Sequence, residues 1–533
     1  MDPISLFFGE PNLNNRAEED GEDEEEAGDP FASTSTKSLS RFEEKNCKNL
    51  MPEIAATLIA SANNVVVGVG LAYSAILIPQ LESEDSDISV TEDELSWIAS
   101  VVPLVAPLGS IMAGFLMDRF GRLNTLKISV IPGIAAWVLM ALAYNVPMLV
   151  AARVFTGLAA PLSTSPGVVY ISEIASKDLR GSFLGVGPVY VSVGLVLTYL
   201  KGWLLNWRLI AWSCNAYTII PFFLVFFLPE SPPWLVSKGK NEKAHKALDW
   251  IYKNQPPYRG KTFAEIYLTL LIKEDEQKKI DSKTGDSIIR EFLKPTGYKP
   301  FLIICGVFLF QQFSGIYIFL FYSVTFFQTV GSDINPYVAS IWIGVIRLVI
   351  SILNTWMLSI FNRRHLMMAS AFGMGVCTLI SGLFTHWIKT GTTDASWVPV
   401  VFLVLYAVSS MVGLLTMPWT MTAELFPMKI RGVAYSVCNS VVNLMMFAAV
   451  QNYRNLEWLC GGPAGIQWLF SGVSFGTVVY VFVFLPETHR KKLVEIEEYF
   501  KTNTVYVGRR KGGHGGGGRD FGKNKESGGS GNT

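Results

Sequence analysis

Charge is scarce in this chain. Only 17% of its 533 residues are charged, and the 44 basic side chains match the 44 acidic ones, for a formal net charge of zero. A balanced chain exerts no general attraction on nucleic acid, and no nucleic-acid partner is expected. Histidine is limited to five residues and cysteine to six. No CxxC or HExxH spacing occurs among them, so no metal site is expected. Cys214, Cys305, Cys377 and Cys438 lie in apolar runs, Cys47 precedes the first run, and Cys460 stands alone in a loop. That distribution is no disulfide framework. Nucleotide-binding and nucleophile motifs are also missing, which excludes any expectation of an enzyme or a cofactor.

What the chain has is apolar length. Half of its residues are hydrophobic and its mean hydropathy is +0.33. The apolar residues fall in long runs, and a run of ~20 is what an α-helix needs to cross a ~30 Å hydrocarbon core. About twelve such runs can be drawn, predicting an all-α polytopic membrane protein. Residues 1–49 include EEDGEDEEE and are expected to be a disordered acidic tail. Residues 50–228 should form a first six-helix bundle and residues 300–485 a second. Between them, 229–299 reads as a linker of short helices with mixed charges, and 486–533 ends in a Gly-rich basic tail. If the spans alternate, the clustered Arg and Lys residues all fall on one side, cytoplasmic by the positive-inside rule. Both tails are then expected in the cytoplasm, and ESEDSD at 82–87 on the other side.

Two copies of one pattern organise the rest. Glu173 followed by Arg180-Gly181 recurs as Glu424 followed by Arg431-Gly432, and Pro229-Glu230-Ser231 recurs as Pro486-Glu487-Thr488. Between the second and third runs stands Asp118-Arg119-Phe120-Gly121-Arg122; its counterpart keeps only Arg363 and Arg364. A long-period repeat of charges at the ends of hydrophobic segments points to a transporter of two parallel halves. Charges at these helix ends can pair across helices and latch the halves, biasing a two-state equilibrium.

These motifs, together with Arg153 and Gly157, PESPPWL at 229–235, QQFSGI at 311–316 and PW at 418–419, resemble the sugar porter branch of the major facilitator superfamily. Within it, the likeness is to insect facilitated trehalose and sugar transporters. The resemblance implies a major facilitator fold, alternating access, and a cytoplasmic gate of Asp118, Arg119, Arg122, Arg153, Glu173, Arg180, Glu230, Arg363, Arg364, Glu424, Arg431 and Glu487. It implies a substrate site led by Gln311 and Gln312, whose amides offer donors and an acceptor to a neutral polyol. Tyr317, Tyr322, Arg347, Trp419, Asn439 and Asn443 complete that site.

The chain departs from the family pattern at several positions. Pro188 stands for a glutamine, Tyr317 and Arg347 for asparagines, and Ser440 for a tryptophan; Leu414, Leu415 and Thr416 replace a Gly/Pro-rich hinge. Arg347 is a cation in the middle of a span, a placement that costs ~2.5–3.5 kcal/mol on insertion scales unless the charge is paired or hydrated. Proton-coupled relatives carry an acid in helix 1, where this chain reads NNVVVGVGLAYSAILIPQ. The expected function is facilitated diffusion of a small neutral sugar, trehalose first and glucose second, through a lipid bilayer at the plasma membrane. The alternatives are an organic-anion carrier using Arg347 and a transport-inactive sugar sensor acting through its tails.

Overall fold

The computed structural model describes residues 47–84, 86–176, 179–257, 261–284, 288–329, 335–427, 430–488 and 493–502. Residues 1–46 and 503–533, which make up most of the two tails, lie outside these ranges, as do Lys177, Lys429 and residues 490–492 among the clustered basic positions.

Among the described residues, eleven helices are long and apolar enough to cross a membrane. The first half supplies α1 (Asn49–Glu82), α2 (Glu92–Phe120), α3 (Arg122–Ala141), α4 (Val146–Ile174), α5 (Arg180–Leu204) and α6 (Trp207–Val225). In the second half, α7 (Pro295–Phe313) is continued by the short helices Ile316–Phe321 and Ser323–Thr329. Then follow α8 (Pro336–Ile360), α9 (Arg363–Lys389), α10 (Trp397–Val412, resumed at Met417–Leu425), α11 (Arg431–Gln451) and α12 (Pro463–Phe484). The seventh crossing, made in pieces, brings the plan to the twelve read from the sequence. Short helices at Pro232–Ser237, Asn241–Ile251 and Phe263–Thr284 occupy the linker.

Helix starts are capped differently at the two ends of the bundle. At the end carrying Glu82 and Glu92, here the acidic end, four starts are capped by nearby side chains, while α10 and α12 begin without a side-chain cap. Thr91 and Glu94 form a reciprocal capping box on α2, and Asn145, Asn206 and Asn335 cap α4, α6 and α8 through their side chains. Each such cap contributes about 1 kcal/mol. At the opposite, basic end, α3 and α9 begin after tight turns with no cap of their own, and distant carboxylates serve instead.

The halves meet along two seams, α2 against α11 and α5 against α8, with the outer pieces of the seventh crossing against α1. Close approach within the first half rests on glycine. A Cβ on Gly68 would stand 2.0 Å from the Val191 carbonyl oxygen, and one on Gly194 would stand 2.4 Å from that of Val65. Small residues of this kind let membrane helices pack backbone to backbone.

Candidate functional site

At the basic end the internal repeat becomes two matching charge clusters. In the first, Arg122 donates to Glu173 through Nε at 3.0 Å and Nη2 at 2.7 Å, and Ser231 Oγ donates to the same carboxylate at 2.5 Å. Glu230 accepts from the backbone N–H groups of Arg122 and Leu123 at 3.0 and 3.1 Å, capping α3 with a negative charge where the helix dipole favours one. In the second, Arg363 donates to Glu424 at 2.8 Å, Thr488 Oγ1 donates to Glu424 at 2.6 Å, and Glu487 accepts from the N–H groups of Arg363 and Arg364 at 3.2 Å each. Gly121 turns the chain at φ 101° with the Glu230 carboxylate against it; a Cβ there would lie 2.5 Å from Oε2.

These clusters pair across helices as expected but do not latch the two halves together. Glu173 and Glu424 pair with Arg122 and Arg363, each within its own half, while Arg180 is exposed and Arg431 donates to the Phe426 carbonyl at 3.3 Å. Arg119 and Asp118 are exposed, and the Asp118 carbonyl accepts from the Trp234 indole at 3.2 Å. Arg364 is buried and donates to the Phe482 carbonyl at 2.5 Å. Arg153 does not belong with these charges. It lies two turns from the acidic-end start of α4, wholly buried, and donates to the Ile98 and Gly70 carbonyls at 3.0 and 3.2 Å and to the Ser74 hydroxyl. Its guanidinium therefore ties α4 to α1 and α2, because buried carbonyls in those helices supply the acceptors a buried cation requires.

In the middle of the second half two helix breaks face one another. The seventh crossing breaks at Ser314–Gly315, with Gly315 at φ 92°. The tenth breaks over residues 413–416, although Leu414, Leu415 and Thr416 offer no Gly/Pro run. Side chains stabilise that break by taking up its backbone groups. Gln311 Nε2 donates to the Leu414 and Leu415 carbonyls at 2.6 and 3.2 Å, and the Leu414 N–H donates to Ser370 Oγ at 2.9 Å. Tyr406 closes the other break by donating to the Ser314 carbonyl at 2.9 Å. Gln311 is thus occupied in joining two helices.

Its neighbour is less fully used. Gln312 Nε2 donates to Gln311 Oε1 at 3.1 Å, and its own Oε1 is buried with no hydrogen-bond partner among the described residues. The Asn354 side chain on α8 repeats this, with Nδ2 donating to Thr416 Oγ1 at 2.8 Å and Oδ1 left bare. Asn354 is absent from the residues singled out by sequence. The signal for it was present: it stands seven residues after Arg347 and so two turns along the same face.

The remaining predicted residues are spread between the halves. Trp419 packs on Phe308, ring centroids 4.8 Å apart, with Tyr317 packed against the same core. Asn439 of α11 donates to Ser110 of α2 at 3.2 Å, and Asn443 donates to the Asn439 carbonyl at 2.8 Å. Arg347 is buried in the α5–α8 seam. One turn before it Gly344 lies against Val196 and Tyr199; one turn after it Ser351 bonds Ser192 across the halves at 2.8 Å. Its Nη1 has no hydrogen-bond partner among the described residues.

At the acidic end the halves are tied together. Arg454, between α11 and α12, pairs with Glu82 at the end of α1 and approaches Glu92 at 3.8 Å. Ser100 donates to Gln451 at 2.5 Å. Tyr322 is fully buried with its ring 4.9 Å from that of Tyr453. Burial raises the Glu457 pKa, against the lowering pull of the Tyr453 hydrogen bond and of Arg454. These links close the acidic-end face, whereas the charge pairs of the basic end close within each half.

The chain matches the family model described as "Sugar (and other) transporter" over residues 56–500. It is 31% identical over 450 residues to the facilitated trehalose transporter of Drosophila yakuba, covering 84% of this chain and 51% of that protein. It is 30% identical over 452 residues to that of Apis mellifera ligustica, covering 84% of this chain and 88% of the relative. The chain thus spans about half the length of the Drosophila yakuba relative and most of the Apis one. In fold it is similar to the inward-open xylose transporter from E. coli, with a TM-score of 0.68 at 21% identity, covering 84% of this chain and 99% of the other. The proton:xylose symporter bound to 6-bromo-6-deoxy-D-glucose gives 0.65 at 21% identity, covering 85% and 100%.

Proposed function

The chain belongs to the sugar transporter family of the major facilitator superfamily, and from that premise we propose that it carries a neutral sugar across a membrane by alternating access, without proton coupling. The observation that carries this reading is the pair of buried, unpartnered amide oxygens of Gln312 and Asn354 beside the breaks of the seventh and tenth crossings. An unpaired buried acceptor costs about 1–3 kcal/mol, and hydroxyl donors of a polyol, admitted when the helices part, would offset that cost. Discontinuous helices are where transporters build such sites.

Gln311 holds the geometry, Trp419 offers an apolar face, and Asn439 and Asn443 line the α11 side. Trehalose is the first candidate because the relatives above carry that name, and glucose the second. Facilitated diffusion is favoured by helix α1, whose stretch 63–80 contains no acid; its Gly70 carbonyl and Ser74 hydroxyl receive Arg153 instead. In this reading the basic end faces the cytoplasm of the plasma membrane, and the charge clusters there belong to its gate. The small residual exposure of Arg347 lets it serve as a further donor to sugar oxygens.

The test is uptake of labelled trehalose and glucose into proteoliposomes, with and without an imposed pH gradient. Saturable flux that ignores the gradient and is lost in folded Gln312→Ala is expected. Arg347→Gln should keep its preference for sugar over organic anions. Absence of flux for both sugars in folded protein overturns the reading.

A further inference from the structure

We propose that the acidic-end cavity is a second sugar site, an outer vestibule in which neutral cargo docks above the closed gate; the inference rests on the sugar-carrier reading. The cavity measures about 620 Å³, within the ~300–1,000 Å³ typical of small-molecule sites. Both halves build it: Glu82 and Glu92 come from the first, Gln328, Thr329, Arg454 and Trp458 from the second.

The lining has the chemistry of polyol recognition. Carboxylates accept hydrogen bonds from hydroxyls, the Gln328 amide and Thr329 hydroxyl both donate and accept, and Arg454 donates. Trp458 is 83% exposed, a large apolar surface left in the open beside these polar groups. Its indole can cover the C–H face of a sugar ring while the surrounding groups take the hydroxyls.

Charge selects the class of cargo. Glu82, Glu92 and Glu457 outnumber the single guanidinium of Arg454 on the lining, and the adjoining stretch holds Glu84 and Asp87. An anion entering here meets like charge, whereas a neutral polyol does not. The vestibule therefore disfavours the organic anion that Arg347 alone would suggest.

The floor of the cavity is also the tie across the halves, since Arg454 and Glu82 form the cross-half ion pair. A docked sugar accordingly sits directly above the contact that has to part before the inner acceptors of Gln312 and Asn354 are reached from this side.

The experiment compares Trp458→Ala and Gln328→Ala with the unaltered full chain in cells, measuring zero-trans entry and exit of labelled trehalose and glucose. Loss of a stacking or hydrogen-bonding partner should raise the entry KM about three- to tenfold with the exit KM unchanged. The maximal fluxes should change so that the ratio of maximal flux to KM stays equal for entry and exit, as an uncoupled carrier requires. The tryptophan fluorescence that sugar quenches in the unaltered chain and not in Trp458→Ala should still be quenched in Gln312→Ala, which is expected to lack transport. Unchanged entry KM in both variants, or equal changes of the entry and exit KM, overturns the vestibule while leaving the carrier intact. No sugar flux in the unaltered chain overturns the carrier reading itself.

Discussion

Adjacent residues can carry different tasks, and Gln311 and Gln312 separate them cleanly. The Gln311 amide supplies donors to two carbonyls that the break in α10 leaves without helical partners. Gln311→Ala strips both, at a cost of about 1–3 kcal/mol for a buried group left unsatisfied. The expected outcome is a lower thermal unfolding temperature, with any loss of transport following from it. Gln312→Ala removes an unpartnered oxygen and a single hydrogen bond, from Nε2 to Gln311 Oε1, so sugar affinity should fall with a smaller drop in unfolding temperature than Gln311→Ala causes. Thermal scans of the two purified variants decide the matter, and equal destabilisation by both would contradict this division. The pair was legible in the sequence as a polar motif within an apolar run. Its division of labour was not, because which amide meets a carbonyl depends on a break in a helix about a hundred residues away.

At the scale of elements, the breaks are the functional parts, and Gly315 shows what they require. Its φ of 92° lies in the left-handed region, which costs a non-glycine residue ~1–2 kcal/mol. A Cβ would also meet the Phe470 ring at 2.6 Å. Gly315→Ala should therefore destabilise the protein by more than the backbone cost alone, and Phe470→Ala in the same chain should recover part of the loss; an undiminished unfolding temperature in the single variant would refute this account. The crossings and the two halves could be read from hydropathy and from the Glu173/Glu424 repeat, because lipid imposes apolar length on every span. The tenth break could be read only in part, since Gly413 and Pro418 flank it while Leu414, Leu415 and Thr416 between them carry no local signal. Its stability comes from Gln311 and Ser370 on other helices. The partner of Glu173 was not legible for a similar reason: among the charges at these helix ends, the three-dimensional turn at Gly121 delivers Arg122.

For the whole molecule the question is what holds one face shut. The basic-end clusters pair within halves, so they stiffen each bundle and its capped α3 or α9 start. The acidic end is different, because Arg454 joins Glu82 and Glu92 across the halves. With side-chain exposures of 19% for Arg454 and 32% for Glu82, the pair is partly screened by water and contributes about 1 kcal/mol at most. That is still roughly fivefold in the ratio of closed to open acidic-end faces. Arg454→Glu would turn the attraction into repulsion among Glu82, Glu92 and Glu457, favouring the state open at this end. The exchange Glu82→Arg with Arg454→Glu restores opposite charges and should restore closure. A cysteine placed at the buried Ser96, in a Cys460→Ser background, reports the state through its labelling rate with a membrane-impermeant thiol reagent. Labelling should accelerate several-fold in the single variant, return toward the starting rate in the exchanged pair, and rise in the unaltered pair with added salt, which screens partly exposed charges. If Arg454→Glu labels no faster than the parent, closure resides in the Tyr322–Tyr453 packing and the Ser100–Gln451 bond, and the ion pair is incidental to the gate.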